Sequence, residues 1–281
     1  MKGKEARNMQ DAETGIDWED AFQNGDYIPG GTEFPARWAE RAETFRAGGT
    51  DMRLDVAYGH GARERLDLFL PEGSPQGLVI FVHGGYWKAM DKSLWSDLAM
   101  GPLARGWAVA MPGYTLAPEA RISQITHQIA SALESAAGRV AGPIRLAGHS
   151  AGGHLVTRMA CRDSPLSPSV ASRIDRVISI SGVHDLRPLR LHSMNADLRL
   201  DRAEARTESP VLLDPLPGIA VTCWTGALER PEFLRQAAIL AEAWAGKTDM
   251  RPPVFAPERH HFDVIDGLRE ADDPLTRALL D

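Results

Sequence analysis

The chain of 281 residues is 43% hydrophobic and 25% charged, which excludes a wholly disordered protein. Its 38 Asp and Glu outnumber 31 Lys and Arg, a net charge of -7, so the electrostatic footprint of a phosphate-backbone binder is missing and nucleic acid is not an expected partner. Cys161 and Cys223 cannot build a disulfide scaffold and lack zinc-site spacing, and no apolar stretch approaches the ~20 residues of a membrane span.

The first segment, MKGKEARNMQDAETG, has no apolar core after its basic residues. An ordinary secretory signal is therefore not expected, and a cytoplasmic location is. A mobile tail is expected over 1–17. Aromatic residues then return at Trp18, Phe22, Tyr27, Phe34, Trp38 and Phe45, which suggests an ordered N-terminal arm over 18–50 with a helix near Pro35–Arg46. No Pro/Gly/Ser linker and no internal repeat divides the rest, so residues 18–281 read as one domain.

From residue 52 strands and helices alternate. Met52–Tyr58 and Arg65–Leu70 alternate apolar and polar residues, as half-buried or edge strands do. Leu78–Val82 is a continuous apolar run of the kind a central parallel strand requires. Trp107–Met111, Ile144–Ala147, Val177–Ile180 and Ile219–Trp224 repeat it, and Pro253–Ala256 is a weaker last strand. Ile122, Ile125, Ile129 and Leu133 recur at helical spacing, and so do the apolar residues of Phe233–Trp244. This succession implies an α/β protein with a mostly parallel, doubly wound sheet and helices on both faces. Ligands of such sheets bind beyond the carboxyl ends of the strands.

Gly148-His149-Ser150-Ala151-Gly152 fits G-x-S-x-G between the strand Ile144–Ala147 and a helical stretch, His154–Cys161. That is the context of a nucleophile elbow, in which a strained turn presents the serine oxygen at the top of the sheet. His83-Gly84-Gly85-Tyr86-Trp87 follows directly on Leu78–Val82. Gly-rich loops there supply backbone donors for a developing oxyanion, so the amides of Gly85, Tyr86 and Ala151 are the expected donors. His83 is expected to brace this turn rather than act as a base. Tyr86 and Trp87 are expected to line the pocket mouth and touch substrate.

A serine nucleophile needs a base, and the base an orienting carboxylate. Glu229 lies in the loop after Ile219–Trp224, whereas Glu232 falls in the first turn of the next helix, where the helix dipole alone accounts for an acid. Glu229 is therefore the expected acid. The base belongs in a loop after the last strand, where His260 and His261 both stand; the residues alone leave the two open. The remaining histidines are scattered, and His149 and His154, which flank the elbow, read as structural or wall residues. Nothing in this set requires a cofactor or a metal. The expected partner is a small-molecule substrate, with no membrane, and a homodimer is left open.

At these residues the chain resembles the kynurenine formamidase (arylformamidase) family of the α/β-hydrolase esterase/lipase superfamily. The resemblance runs from Tyr58 to the C-terminus, roughly four fifths of the chain. HGGYW at 83–87 is similar to the family's oxyanion loop and GHSAGGHL at 148–155 to its GHSAGAHL-type elbow. SGVHDLRPL at 181–189, ESP at 208–210, GALERPEFLRQA at 226–237 and HHFDVIDGL at 260–268 resemble its SGVFDL, NSP, GxxDSPEFxRQS and DHFEIVENL segments. The resemblance implies an α/β-hydrolase fold, Ser150 as nucleophile and, because the family's base directly precedes Phe, His261 rather than His260. Glu229 departs from the family's usual Asp. The implied reaction is N-formyl-L-kynurenine plus water to L-kynurenine plus formate. The alternatives are a carboxylesterase or amidase for another small acyl group, and a non-catalytic binding protein on the same scaffold.

Overall fold

In a computed structural model that describes residues 15–281, nine strands form one sheet. They are β1 (Met52–Ala57), β2 (Arg65–Phe69), β3 (Leu78–Val82), β4 (Ala108–Pro112), β5 (Ile144–His149), β6 (Ile174–Ile180), β7 (Ala220–Gly226), β8 (Asp249–Met250) and β9 (Val254–Ala256). Their spatial order is β1-β2-β4-β3-β5-β6-β7, with β8 and β9 both pairing to β7. β1–β2 and β2–β4 pair antiparallel, and every other pairing, from β4–β3 to β7–β9, is parallel. The mostly parallel sheet of an α/β hydrolase is thus present.

Five helices cover it: α1 (Phe34–Ala47), α2 (Ile122–Ala137), α3 (Ala151–Met159), α4 (Pro231–Trp244) and α5 (Pro274–Leu280). The period of two along each strand divides the apolar residues between two cores. Leu78, Ile80 and Val82 of β3 join one core with Ile125 of α2, Leu155 of α3 and Phe233 of α4. Val79 and Phe81 face the other, which holds Trp38 of α1 and Leu279 of α5. Continuous apolar runs are what a sheet covered on both faces demands.

Several expectations are corrected in detail. β2 is an interior strand, not an edge, and is buried from Leu66 to Phe69. Its polar residue Asp67 is buried because Lys92 Nζ donates to it over 2.7 Å, so the alternation marks an ion pair rather than solvent. α3 begins at Ala151, not His154, and β5 runs on to His149. β8 was not foreseen; two residues carry no period. Residues 1–14, most of the expected tail, lie outside the described residues, while Asp17 at its end caps the short helix Trp18–Ala21 by accepting from the amides of Glu19 and Asp20. The arm reaches both cores. Phe22 packs edge-on to Phe233 at 6.2 Å, and Trp38 lies 4.7 Å from Trp95 and 5.4 Å from Phe262, ring centre to ring centre.

Candidate active site

Ser150 occupies the single residue between β5 and α3. Its backbone is forced to φ 56°, ψ -117°, a conformation costly for a side-chain-bearing residue. The close approach of strand, helix and β3 enforces it. A Cβ at position 148 would overlap the Gly152 carbonyl oxygen and lie 2.5 Å from its carbon, and one at 152 would overlap Val82 O and lie 2.7 Å from His83 O. The Ser150 amide donates to Ile180 O over 2.8 Å, which ties the turn to β6.

The loop after β3 turns through three successive left-handed residues, Gly85, Tyr86 and Trp87, with φ 108°, 50° and 56°. Among the described residues, the amides of Gly85, Tyr86 and Ala151 donate to no protein acceptor. His83 is buried, lies flat on Tyr114 at 4.5 Å and pairs through Nδ1 with Gly84 O at 2.7 Å. Burial pushes its imidazole down to about 4. It is placed to brace the loop.

Tyr86 lines the cavity described below, and its hydroxyl donates to Phe22 O of the arm. Trp87 does not line it. The expectation of a substrate contact there is corrected: the left-handed backbone turns the indole inward, fully buried, with its ring edge-on to His154 at 5.2 Å. Of the two adjacent aromatic residues, only Tyr86 faces the cavity.

Of the two candidate acids and two candidate bases, the structure pairs Glu229 with His261. His261 Nδ1 donates to Glu229 Oε2 over 2.6 Å, and both side chains are buried. Glu229 Oε1 accepts from the Gly226 amide over 2.8 Å and from the Ser181 hydroxyl. Glu232 instead binds Arg235 and Gln236 within α4. His260 turns to Asp263 and to the ring of Phe34. The His261 ring lies between Phe233, 4.5 Å away, and His149, 4.7 Å away. His149 Nε2 donates to the His261 carbonyl over 2.8 Å, so the residue before Ser150 holds the backbone of the residue paired with Glu229. Burial first, then neighbouring His261, pushes the His149 imidazole well below the ordinary histidine range, so it stays neutral.

Ser150, His149 and His261 open on one cavity of about 520 Å³. Tyr86, Met90, Trp95, Trp38 and Phe262 line it, and the arm also contributes Gln23, Asn24 and Gly25. His192, Ser193, Met194 and Asp197 complete the rim with Lys88. Sequence reasoning foresaw an ordered arm but not its place on the cavity, and missed the 192–197 segment, Ser181 and the tie made by His149. Only the aromatic content of the arm could have hinted at it.

A serine at a strained strand–helix turn, a buried carboxylate–imidazole pair and unpaired amides on one cavity define an α/β hydrolase of the serine class. Residues 79–212 match the Abhydrolase_3 family model, described as alpha/beta hydrolase fold. Kynurenine formamidase of Danio rerio is 30% identical over 242 residues, covering 82% of each chain, and that of Salmo salar is 28% identical over 239 residues, covering 81% of this chain and 80% of the relative. A solved structure from Silicibacter sp. TM1040, labelled provisionally a thioesterase, superposes with a TM-score of 0.90 at 49% identity, over 95% of this chain and all of that one. The chain belongs to the kynurenine formamidase family and is an enzyme, a hydrolase. Among the described residues, no helix is long and apolar enough to cross a membrane.

Proposed function

We propose that the enzyme cleaves an aryl formamide, N-formyl-L-kynurenine, to L-kynurenine and formate. The observation that carries this reading is the buried Glu229–His261 pair opening, with Ser150, on a cavity walled by Trp38, Tyr86, Trp95 and Phe262. That wall suits an aromatic leaving group, and about 520 Å³ lies within the usual range for small-molecule sites. Glu229 fixes the tautomer, leaving His261 Nε2 to take the proton as Ser150 Oγ attacks the formyl carbon. The amides of Gly85, Tyr86 and Ala151 receive the oxyanion. His261 then protonates the leaving arylamine, and water activated by the same nitrogen releases formate from the acyl-serine. Glu229 is one methylene longer than Asp, and a Ser-His-Glu triad is chemically competent.

The same machinery serves esters and thioesters, and the label on the Silicibacter structure makes a small-acyl thioester the second reading. The deciding experiment measures kcat/KM for formyl, acetyl and butyryl groups on one aryl amine and on matched ester and thioester leaving groups. A formamidase loses a factor worth about 1–3 kcal/mol for each added methylene and prefers N-formyl-L-kynurenine to p-nitrophenyl acetate. Butyryl or longer groups best, with formylkynurenine untouched, would overturn the reading.

A further inference from the structure

The cavity rim carries one fixed positive and one fixed negative charge. Of the side chains lining the cavity, histidines aside, Lys88 and Asp197 alone are charged. They stand on different segments: Lys88 directly follows the oxyanion loop, and Asp197 lies on the short turn of helix Asn195–Leu198. They pair with each other. Both stay over a third exposed, 36% and 41%, so opening the pair re-solvates two groups that water already reaches.

This arrangement selects by charge. A ligand with a single charge would take one partner and strand the other. A neutral ligand would leave the pair closed. A ligand carrying both charges close together can take both partners at once, exchanging one ion pair for two. Gln23 and Ser193 line the same cavity; Ser193 donates to Glu19 and the Gln23 amide to Asp26, which leaves the Ser193 and Gln23 side-chain oxygens to accept from an ammonium. We propose that Lys88 and Asp197 form a subsite for a zwitterionic α-amino acid head on the leaving group, with the carboxylate on Lys88 and the ammonium on Asp197. For the reacting end of the ligand, this inference rests on the aryl formamide reading.

The test reads binding separately from turnover. Calorimetric Kd values are measured for L-kynurenine, for its decarboxylated amine and for its deaminated acid. L-kynurenine should bind roughly tenfold or more tightly than either, as two charge-assisted contacts require. Lys88→Met should abolish its advantage over the amine. Asp197→Asn should abolish its advantage over the acid. The double exchange Lys88→Asp/Asp197→Lys should bind L-kynurenine better than either exchange alone, which a mere surface latch would not produce. Three ligands binding alike, both variants weakening all three equally, or no binding of L-kynurenine would each overturn the subsite. Turnover of N-formyl-L-kynurenine is scored in parallel. Tail selectivity without formyl cleavage sinks the formamidase reading and leaves the subsite standing; cleavage without tail selectivity does the reverse.

Discussion

Gly152→Ala tests whether the elbow's geometry, rather than its residue types, carries the activity. The added Cβ would overlap Val82 O and sit 2.5 Å from Val82 C and 2.7 Å from His83 O. All three are backbone atoms, so no side chain can swing aside. Carbon atoms settle at about 3.5–4.0 Å, so α3 or the loop after β3 must retreat by roughly 1 Å. Overpacking of this kind costs about 1–3 kcal/mol, and a helical Gly→Ala change returns about 1 kcal/mol. Because every clash is with backbone, the overpacking cost sits at the top of its range and the net loss of stability is about 2 kcal/mol. Activity should suffer more, because both Ser150 and the unpaired amides of Gly85 and Tyr86 sit on the segments that move, and a 1 Å misplacement is worth about 10²-fold in rate. Urea unfolding and p-nitrophenyl acetate hydrolysis read the two effects. Gly138→Ala, whose Cβ meets the Glu134 and Ser135 carbonyls at an ordinary 3.6 and 3.7 Å, should leave both within error and serves as the control. Full kcat/KM in Gly152→Ala would refute the reasoning.

Ser150→Ala should fold normally and lose on the order of 10⁴ or more in kcat, and a serine-directed phosphonate should label Ser150 and no other serine; labelling elsewhere would move the nucleophile. Glu229→Gln should cost roughly 10² more in kcat than Glu232→Gln, because only Glu229 touches His261. Trp87→Ala should lose about 3–5 kcal/mol of stability with no bias between large and small leaving groups, as a core indole would; selective damage to aryl formamide turnover would return it to the pocket. Burial pushes His83 down to about 4 and His154 and His184 down to about 3, so these histidines fold neutral. Below their ordinary value near 6.5 the unfolded chain takes up protons that the folded chain refuses. Stability should therefore be fully present above that value and fall by about 1.4 kcal/mol per pH unit for each such histidine towards pH 4. A flat urea midpoint from about pH 6.5 to about pH 4.5 would refute that.

The parts of this molecule that short-range chemistry dictates were legible in the chain. Five hydrophobic residues without a break at 78–82 announce a strand covered on both faces, and G-x-S-x-G between strand and helix announces the elbow. Glu229 over Glu232 could be argued from the helix dipole alone. The failures share a cause: each depends on a partner distant in sequence. Asp67 looks like a solvent-facing strand position until Lys92 is placed against it. Trp87 looks like a pocket residue until His154 of α3 is placed edge-on against its buried ring. His149 pairs with a carbonyl 112 residues away, and no local pattern encodes that.

The arm gives the enzyme two parts that can vary independently. Gln23, Asn24, Gly25 and Trp38 line the cavity from the arm, a stretch of chain apart from Ser150, the loop at 83–87 and the Glu229–His261 pair. Substitutions in the arm can reshape what enters without touching the β5–α3 turn. Exchanging residues 18–45 between relatives should transplant ligand preference while the reaction itself stays with the recipient.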